Sequence, residues 1–546
     1  MDTPFYLKCL GQPALIAPNG DVVRFRTRKH LALLVYLGAE PRAGHRRDRL
    51  ADLLWSSATE AEARHSLATA LSIIRSKLGP EALDCSRDQV RLAGAAVVTD
   101  LGRLASGDIF GDEGGEMLDV AGFLEGFEVA DAVEFMLWKD RQQARWLPAI
   151  RDALVRLMDR CRRTGDFTRI EQVADRMLVL DELSEEAIRA KMEARAFAGD
   201  RLTALRIFES WKEDLARELG ATPSPLVDGM AIRLRRRGWE RTATNQIPNV
   251  PTDHWKDRVF IGRGREYRGL YEGWERMQRG EVGHALVAGD SGVGKSTLVE
   301  RFTTAASLEG AALTRVQCYE PDRGIPYGAV GLLIPPLLDR PGASATPPEA
   351  LAELARTVPE VRRRYPAIPQ AADSQGETAR LRLAEAFHEL LKAVAEEHPV
   401  IVVVDDLHHC DDVSLAVLHL VIRKARGQPI LIVFTVRPGE AVQSPQAQHL
   451  LERAASLGLQ RIDVPPLTEA ESEQAITAMV GAERVQPSSA VRRALVRAAA
   501  GYPMVLELLV QDWEASGDQC LAVSVGAMTA EPAASGGDLP TVAYRA

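Results

Sequence analysis

The hydrophobic pattern at the start of the chain changes from short β-like runs to helical periodicity. Short apolar runs separated by turn signals come first, namely FYLKCL, ALIAP and DVVRFR. Apolar residues then recur at helical spacing in RKHLALLVYLG, RRDRLADLLW and EAEARHSLATALSIIRSKLG. The region ends in LDCSRDQVRL, which has the pattern of a hairpin. The sequence therefore predicts strands, three helices and a terminal hairpin, in that order.

The third of these helices has one apolar face and one small, polar face. Thr59 and Glu62 form the signature of a capping box at its start. The apolar positions at 3.6-residue spacing are Ala63, Leu67, Leu71, Ile74 and Leu78. The opposite face carries His65, Thr69, Ser72 and Ser76, flanked by Arg64 and Arg75. Small polar groups and arginines fit a DNA major groove, so residues 1–108 are predicted to form an α+β winged helix whose third helix reads DNA. An ordinary amphipathic surface helix has the same periodicity, and Glu60 and Glu62 disfavour close approach to phosphates.

Residues 109–238 are predicted to be helical and to contain an internal repeat. TGDFTRIEQVADRMLVLD begins at Thr164, and AGDRLTALRIFESWKEDL begins at Ala198. The offset between them, about 34 residues, is the period of tetratricopeptide repeats, in which stacked helix pairs bury a face that none could bury alone. The dipeptides Gly165-Asp166 and Gly199-Asp200 occupy equivalent turns. We expect an all-α, tetratricopeptide-like domain that acts as an interaction scaffold.

The remainder of the chain alternates buried strands with helices. Residues 239–258 are polar and contain two prolines, which predicts a linker. The apolar runs after it are HALVAG, AALTRVQCY, PVIVVVDD, PILIVFTVRP and LQRIDVPPL. Such runs are typical of a parallel sheet covered on both faces, so residues 259–515 are predicted to form an α/β domain. Residues 341–370, rich in Pro and Ala, are expected to be an irregular excursion from it, and residues 516–546 a disordered tail.

The composition indicates one basic region and the cellular compartment in which the protein is expected. The net charge of −9 hides a local excess of six positive charges between Arg24 and Arg49, the kind of patch that phosphate backbones attract. The six cysteines are scattered and form no CxxC pair, which fits a reducing cytosol. No apolar run approaches the roughly 18 residues of a membrane span. We therefore expect a soluble, cytoplasmic protein with no membrane partner.

The strongest chemical motif is VAGDSGVGKSTLVE, residues 287–300. Gly289, Gly294, Lys295 and Ser296 complete a P-loop pattern between the strand HALVAG and a predicted helix, whose N-terminus favours anions. Backbone N–H groups of such a loop cradle phosphates, the lysine reaches the β- and γ-phosphates, and the serine hydroxyl binds Mg²⁺. The predicted nucleotide-binding residues of the loop are Gly289, Gly292, Gly294, Lys295, Ser296 and Thr297. The dipeptide Asn-Lys is absent, so the NKxD signature of guanine recognition does not occur and ATP is favoured over GTP.

Two carboxylates follow the strand VIVVV. Asp405 is predicted to hold Mg²⁺ together with Ser296, and Asp406 to act catalytically by orienting or deprotonating the attacking water. A strand-end turn is the alternative for this pair. Arg437 closes another strand and is predicted to sense the γ-phosphate, or else only to cap the strand. HHCDD, residues 408–412, contains metal-ligand side chains but lacks a second ligand cluster, which disfavours a separate metal site.

The assembled motifs resemble a known family. RKHLALLVYL, RRDRLADLLW, ARHSLATALSIIRSKLG and DQVRL are similar to the OmpR-type winged helix of SARP-type activators, and AGDRLTALRIFESWKEDLARELGATPSPLVDGM to the bacterial transcriptional activator domain that follows it. FIGRGREYRGL, GDSGVGKST, VVVDDLHHCD, TVRP and GYP resemble a STAND-class, AAA-like ATPase. The resemblance implies that Gly262 and Arg263 lie near the nucleotide base and that Pro503 closes the site from a helical lid. His409 stands where this class usually has Trp, and Ala68-Thr69 where a larger or basic side chain is expected.

The resemblance implies an ATP-regulated transcription factor, with ATP and Mg²⁺ as cofactors and double-stranded DNA as partner. Hydrolysis is left open, and any ATPase activity is expected to be slow. RNA polymerase is a further expected partner, and the protein is expected to bind direct repeats as a homo-oligomer. The residues predicted to contact DNA are Arg28, Lys29, Arg47, Arg64, His65, Thr69, Ser72, Arg75, Arg87 and Arg91. The alternative from another class is a signalling ATPase scaffold whose winged helix contacts protein rather than DNA.

Overall fold

The computed structural model describes most of the chain in two compact units. The described residues are 4–40, 44–93, 97–107, 120–235, 260–371, 376–441, 444–481 and 484–516. The first unit consists of residues 1–162, 168–191 and 213–219. The second unit consists of residues 163–167, 192–212 and 220–546. The predicted linker and residues 517–546 of the predicted tail lie outside the described residues.

The first unit begins with two small sheets around three helices. Its strands are β1 Phe5–Lys8, β2 Ala14–Ile16, β3 Val22–Val23, β4 His45–Arg46, β5 Leu83–Cys85, β6 Gln89–Leu92 and β7 Val97–Thr99. The helices are α1 Arg28–Ala39, α2 Arg47–Trp55, α3 Glu60–Leu78 and α4 Asp100–Ser106. One sheet has the order β3-β2-β1-β7, with β7 parallel to β1, and the other has the antiparallel order β4-β6-β5. The predicted succession of strands, three helices and the β5–β6 hairpin is present.

Helix α3 has the predicted cap and the predicted apolar face. Thr59 and Glu62 form the capping box, in which the Thr59 N–H donates to Oε2 of Glu62 at 3.0 Å. All five predicted apolar positions are buried, together with Ala70. Burying such a stripe stabilises a helix that would be marginal alone. At the other end of this region the buried Asp100 carboxylate accepts from the N–H groups of Cys9 and Leu10, both at 2.7 Å.

The middle of the chain is helical, as expected. Its helices are α5 Val133–Thr164, α6 Phe167–Leu180, α7 Glu185–Phe197, α8 Arg201–Leu219 and α9 Pro225–Arg235. Gly165 and Gly199 lie between consecutive helices with φ of +70° and +75°, a left-handed conformation that glycine adopts without strain. The two predicted turns are therefore confirmed, and each half of the repeat is a helix–turn–helix.

The second unit is built on a five-stranded parallel sheet. Its strands are β8 Ala285–Ala288, β9 Ala312–Gln317, β10 Val400–Asp405, β11 Ile430–Val436 and β12 Gln460–Asp463, in the order β12-β8-β11-β10-β9. All five predicted apolar runs supply a strand. Alternate residues of β10 and β11 enter two hydrophobic clusters, one containing Val402 and Ile432 and the other Ile401 and Leu431. Both faces are therefore covered, as a parallel sheet requires.

Helices cover this sheet and continue past it. They are α10 Gly264–Gln278, α11 Lys295–Leu308, α12 Gly328–Leu333, α13 Pro335–Leu338, α14 Pro348–Thr357, α15 Glu360–Arg364, α16 Gly376–Ala395, α17 Asp412–Lys424, α18 Pro438–Ala441, α19 Pro445–Glu452, α20 Ala454–Leu457, α21 Glu469–Val480, α22 Ser489–Ala499 and α23 Pro503–Ser516. Helices α21 to α23 share a separate small core. Among the helices described, none combines the length and the apolar character that a membrane crossing requires.

The expected irregular excursion at 341–370 is instead largely helical. Helices α14 and α15 bury Leu351, Leu354 and Val361 in the core on one face of the sheet. Pro348 occupies the first turn of α14, where its missing N–H has no intrahelical partner to lose. The prediction was wrong because a helix-starting proline was interpreted as a breaker.

Candidate phosphate-binding site

The P-loop connects β8 to α11 at the carboxyl edge of the parallel sheet. The N–H of Gly289 donates to the carbonyl of Val436 in the neighbouring strand at 3.2 Å. A Cβ on Gly289 would lie 2.7 Å from the carbonyl oxygen of Val464, the residue after β12, so the two backbones approach too closely there for a larger residue. Gly292 and Gly294 have φ of +76° and +96°, the left-handed conformation. The loop thus leads directly into the N-terminus of α11, which favours an anion.

The first turn of α11 carries the side chains predicted to meet phosphates. The Lys295 ammonium donates to the carbonyls of Gly289 at 2.9 Å and Asp290 at 2.8 Å, within its own loop. Burial lowers the pKa of Lys295 from its ordinary value. The Ser296 hydroxyl points to Asp405 and Thr297 lies half-buried beside it. Lysine, serine and threonine therefore all lie in the first turn of α11, next to the loop, and their contacts with phosphate and Mg²⁺ stay predictions.

Asp405 ends β10 with no exposed surface, and its carboxylate accepts three hydrogen bonds. Its Oδ2 accepts from Arg315 of β9, and its Oδ1 from Thr435 of β11 and from the Ser296 hydroxyl at 3.4 Å. Burial alone would raise its pKa, but the Arg315 charge and the bonds from Thr435, Arg315 and Ser296 hold the pKa of Asp405 below its ordinary value. The residue is therefore an ionised carboxylate within hydrogen-bonding distance of the P-loop serine.

Asp406 lies in a different environment one residue later. Its φ of 53° is in the left-handed region, so the backbone turns immediately after β10. The Gln317 amide donates to Oδ2 at 2.7 Å, and Nε of Arg437 lies 3.7 Å from Oδ1. Burial and the neighbouring Asp405 charge raise the pKa of Asp406. The two adjacent carboxylates thus have pKa values that shift in opposite directions, an arrangement that separates a cation ligand from a proton acceptor.

Arg437, the predicted γ-phosphate sensor, is held by two acids at the end of β11. Its NH1 group donates to both oxygens of Glu440, at 3.1 and 3.4 Å, and Asp406 lies on its other side. Nε2 of His408 lies 3.1 Å from Oε2 of Glu440, and Nε2 of His409 lies 3.9 Å from the same oxygen. Burial and then His409 lower the pKa of His408 to about 4, so this imidazole is neutral at neutral pH.

The two histidines and Glu440 bring ligand atoms within 4.8 Å of one another. Both Glu440 oxygens already accept from Arg437, so the carboxylate charge is balanced by a guanidinium. We therefore assign this group to the ion-pair network of the site. The following Asp411 is the N-cap of α17, accepting from Ser414 N–H at 2.8 Å, and it also accepts from the N–H of Tyr327 at 3.0 Å.

Residues 262 and 263, which are expected near the nucleotide base, are connected to the P-loop by a hydrogen bond from Arg263. Arg263 is buried, and its NH2 group donates to the carbonyl of Val293 at 3.0 Å. Gly262 has a φ of +70°, and a Cβ there would lie 2.7 Å from Oε1 of Glu471 and 2.9 Å from Leu467. Arg263 therefore contacts the P-loop directly, whereas Gly262 packs against Glu471 and Leu467, where its positive φ and the crowding both favour glycine.

The start of helix α23 also contacts the P-loop. Pro503 begins α23, and the N–H of Met504 donates to the carbonyl of Gly292 at 3.4 Å. The Tyr502 hydroxyl donates to Oδ2 of Asp290 at 3.3 Å. The start of α23 thus contacts the loop, and the closing of a nucleotide site by Pro503 stays a prediction.

Sequence reasoning missed several residues of this site. They are Arg315, Gln317, Thr435, Glu440 and Tyr502. Two of them could have been found from polar residues that interrupt apolar runs. A charged or polar residue in a buried strand requires a partner, so it marks a possible site. Arg315 stands in AALTRVQCY and Thr435 in ILIVFTV.

Some candidate DNA contacts of the first unit bind their own chain in this structure. The Arg28 side chain donates to the carbonyl of Glu128 at 3.2 Å, and Lys29 to the carbonyl of Asp131 at 3.3 Å. His65 and Thr69 line the same pocket as Arg28 and Lys29. These four side chains are therefore brought together at one place.

The other candidates lie on α3 and the hairpin. Arg64 pairs with Asp48 at 3.1 Å and with Glu60 at 2.7 Å. Arg47 and Arg75 donate to carbonyls of the hairpin, Arg47 to Ser86 at 3.3 Å and Arg75 to Leu83 at 3.1 Å. Arg91 pairs with Asp84 at 3.1 Å, and Ser72 and Arg87 are exposed. Most of the predicted arginines thus already have a carboxylate or a backbone carbonyl of the same chain as partner. Exposed ion pairs of this kind contribute little stability.

Family models match two segments of the chain. The bacterial transcriptional activator domain matches residues 125–235, and the AAA ATPase domain matches residues 259–433. The chain therefore carries an activator domain followed by an AAA ATPase domain. A curated relative, uncharacterized protein R02095 of Rhizobium meliloti strain 1021, is 24% identical over 269 residues, which are 46% of this chain and 25% of the relative. The match thus spans a quarter of the length of that relative.

Three solved structures have similar parts. EmbR of Mycobacterium tuberculosis, in complex with a low-affinity phosphopeptide, is 16% identical over 50% of this chain and 71% of that chain, with a TM-score of 0.31. The Walker-type ATPase PABY2304 of Pyrococcus abyssi is 17% identical over 48% and 70%, with a TM-score of 0.32. RuvB of Thermotoga maritima is 14% identical over 47% and 64%, with a TM-score of 0.28. At these TM-scores the likenesses carry no argument about function.

Proposed function

We propose that this chain, in which an activator domain precedes an AAA ATPase domain, is an ATP-binding regulator of transcription. Residues 1–108 would bind promoter DNA, the helical residues 109–238 would support self-association and contact with RNA polymerase, and the nucleotide state of residues 259–515 would set the active fraction. The observation that carries the proposal is a complete P-loop facing Asp405 in the same chain as the activator domain.

The residues around the P-loop fit Mg²⁺ and a nucleoside triphosphate. Ser296 and Asp405 place two oxygen donors 3.4 Å apart, and hard divalent cations prefer such ligands. Bound there, the cation would neutralise charge on the phosphate oxygens. Lys295 would exchange its two loop carbonyls for phosphate oxygens. Asp406 would orient water and accept its proton, while Arg437 would leave Glu440 to meet the γ-phosphate.

The alternative is a signalling scaffold whose first unit binds protein. The engagement of Arg28 and Lys29 with main-chain carbonyls, and of Arg64 with two acids, favours it, because these cations are less available to phosphates. A full chain retained on DNA in a salt-dependent manner would contradict this alternative.

The proposal is tested by DNA retention from a pool of genomic fragments at physiological salt, with ATP, with ADP and without nucleotide. Enrichment of particular fragments that depends on nucleotide is the expected result. Equal enrichment with ATP, with ADP and without nucleotide would support DNA binding but contradict its control by nucleotide. If no fragment is enriched while ATP still binds, the scaffold replaces the regulator.

Replacement of two arginines of the first unit is expected to change DNA binding in two different ways. Replacing Arg75 by alanine on α3 should change which fragments are enriched, costing about 1–3 kcal/mol at one base position. Replacing Arg47 by alanine should weaken binding to all fragments and reduce the salt slope by about 1, because phosphate contacts carry no sequence information. Binding of labelled fragments across a salt series measures both. Arg268→Ala, at an exposed arginine of α10, is the control, and intact binding in both test variants would refute the assignment of α3.

Crowding at Gly262 makes a specific prediction for nucleotide affinity. Gly262→Ala should weaken ATP binding about 10-fold, because the methyl group meets Glu471 and Leu467 and displaces Arg263 from the loop, at a cost of about 1–3 kcal/mol. Gly280→Ala is the matched control, since Gly280 has a φ of +79° but nothing within 4 Å of the added Cβ. Equal affinities of the two variants, measured by titration with a fluorescent ATP analogue, would show that the 262 segment does not shape the site.

A further inference from the structure

Arg301 is a largely buried cation on the P-loop helix that the nucleotide site does not use. It lies on α11 six residues after Lys295, about 9 Å along the helix axis. Its guanidinium carbon lies 4.5 Å from the ring centre of Phe260, 5.6 Å from that of Phe167 and 5.8 Å from that of Phe197. All three distances are in the range of cation–π attraction. A desolvated guanidinium among three rings is a specific arrangement, because a solvated arginine needs none of them.

The same guanidinium is bonded to the turn between α5 and α6. Nε and NH2 of Arg301 donate to the carbonyl of Gly165, at 3.2 and 3.1 Å. A Cβ on Gly165 would lie 3.0 Å from the ring of Tyr267 on α10, and its φ of +70° excludes most other residues. The turn is therefore fixed between α10 and α11, with its carbonyl aimed at Arg301.

The rings that contact Arg301 belong to the ends of two helices of the activator domain. Phe167 begins α6 and Phe197 ends α7, and their rings stack with centres 3.5 Å apart and planes 14° apart. These residues and α11 belong to one compact unit, which contains 163–167, 192–212 and 220–546. At the far end of α11, Arg233 of α9 donates to the carbonyl of Leu308 at 2.9 Å. One helix thus carries phosphate-binding residues at its start and contacts the activator domain at its middle and its end.

We infer that Arg301 is the positioning residue through which the P-loop helix transmits nucleotide binding to the activator domain, by holding the Gly165 turn and the Phe167–Phe197 pair. The inference rests on the proposed function, because it names the contact by which that switch would act. A short, rigid helix moves as one body, so phosphates that reorder its first turn also displace Arg301. A ligand can shift the activator domain only through such a differential contact.

The test is hydrogen–deuterium exchange of the full chain with and without Mg²⁺ and a non-hydrolysable ATP analogue. In the unaltered chain the analogue should slow exchange at residues 289–297 and also at 163–170 and 192–200, by about 5- to 150-fold where coupling is expressed. In Arg301→Met the first segment should keep its protection, with analogue affinity unchanged, and the other two should lose their nucleotide-dependent difference. A purely structural role would speed exchange equally in both nucleotide states and leave the difference intact.

Two further variants keep the inference testable if Arg301→Met folds poorly. Arg301→Lys keeps a charge among the rings but lacks the planar fork that makes both bonds to Gly165, so it should retain only part of the difference. Gly165→Ala disturbs the same contact from the turn without altering α11. Arg268→Met is the control on an exposed position of α10.

The outcomes separate the coupling from the proposed function. Protection of 289–297 without any change at 163–170 in the unaltered chain would overturn the inference and leave nucleotide binding standing. An unchanged difference in both Arg301→Met and Gly165→Ala would also overturn it. No protection of 289–297 by the analogue would overturn the proposed function itself, and the inference with it.

Discussion

Replacing Lys295 by alanine is expected to weaken ATP binding about 30-fold or more. In the structure the ammonium is partly desolvated at the first turn of α11 and donates to the carbonyls of Gly289 and Asp290. Truncating one partner of a buried, charged hydrogen bond costs about 2–5 kcal/mol, and each 1.4 kcal/mol is about tenfold in affinity. The measurement is titration of the full chain with a fluorescent ATP analogue in the presence of Mg²⁺.

The fold should survive this change, because the two hydrogen bonds of the Lys295 ammonium lie within its own loop. Lys392→Ala, at an exposed position of α16, is the matched control and should bind ATP as the unaltered chain does. Nucleotide-dependent DNA retention should be lost in Lys295→Ala alone. An unchanged affinity in Lys295→Ala would mean that the loop does not hold phosphates.

The five strands of the second unit were predictable because a parallel sheet covered on both faces leaves continuous apolar runs. Each of these runs formed a strand, and VIVVVDD ended at Asp405 as expected. The repeat at Thr164 and Ala198 was equally readable, since a turn glycine and helical periodicity recur together. The failure at 341–370 has a physical cause. Proline starts helices as well as ending them, and a short helix buried by its neighbours needs little propensity of its own.

The site was predictable only where its chemistry is local in sequence. A P-loop is a contiguous motif, so its lysine and serine can be identified without a fold. Arg315 is different, because its partner lies 90 residues away and only the pairing of β9 with β10 brings them together. Glu440, by contrast, lies only three residues after Arg437, in the short helix α18. The sequence shows which strands contain charged residues. The order of the strands in the sheet determines which of these residues become neighbours.

The ion pair between Arg315 and Asp405 predicts the largest change in stability. Replacing either partner alone, as Arg315→Met or Asp405→Asn, should lower the free energy of unfolding by about 3–5 kcal/mol, because the other is left buried and unpaired. For a domain of about 150–250 residues this is a fall of about 6–20 °C in Tm. The pKa of Asp405 is lowered in the folded state, so its share of this stability is present at neutral pH and is lost as pH falls through the folded-state pKa.

A double-mutant cycle distinguishes the pair from the separate loss of two side chains. The double variant should cost clearly less than the sum of the two single changes, because it leaves neither partner unpaired. Thermal unfolding of the four full-length chains measures the coupling. Arg461→Met is the control on the same sheet, where the pair with Asp463 is more than half exposed and should contribute less than about 1 kcal/mol. If the two single changes are additive, Thr435 and Ser296 hold Asp405 without Arg315, and the cation site would be independent of the guanidinium on β9.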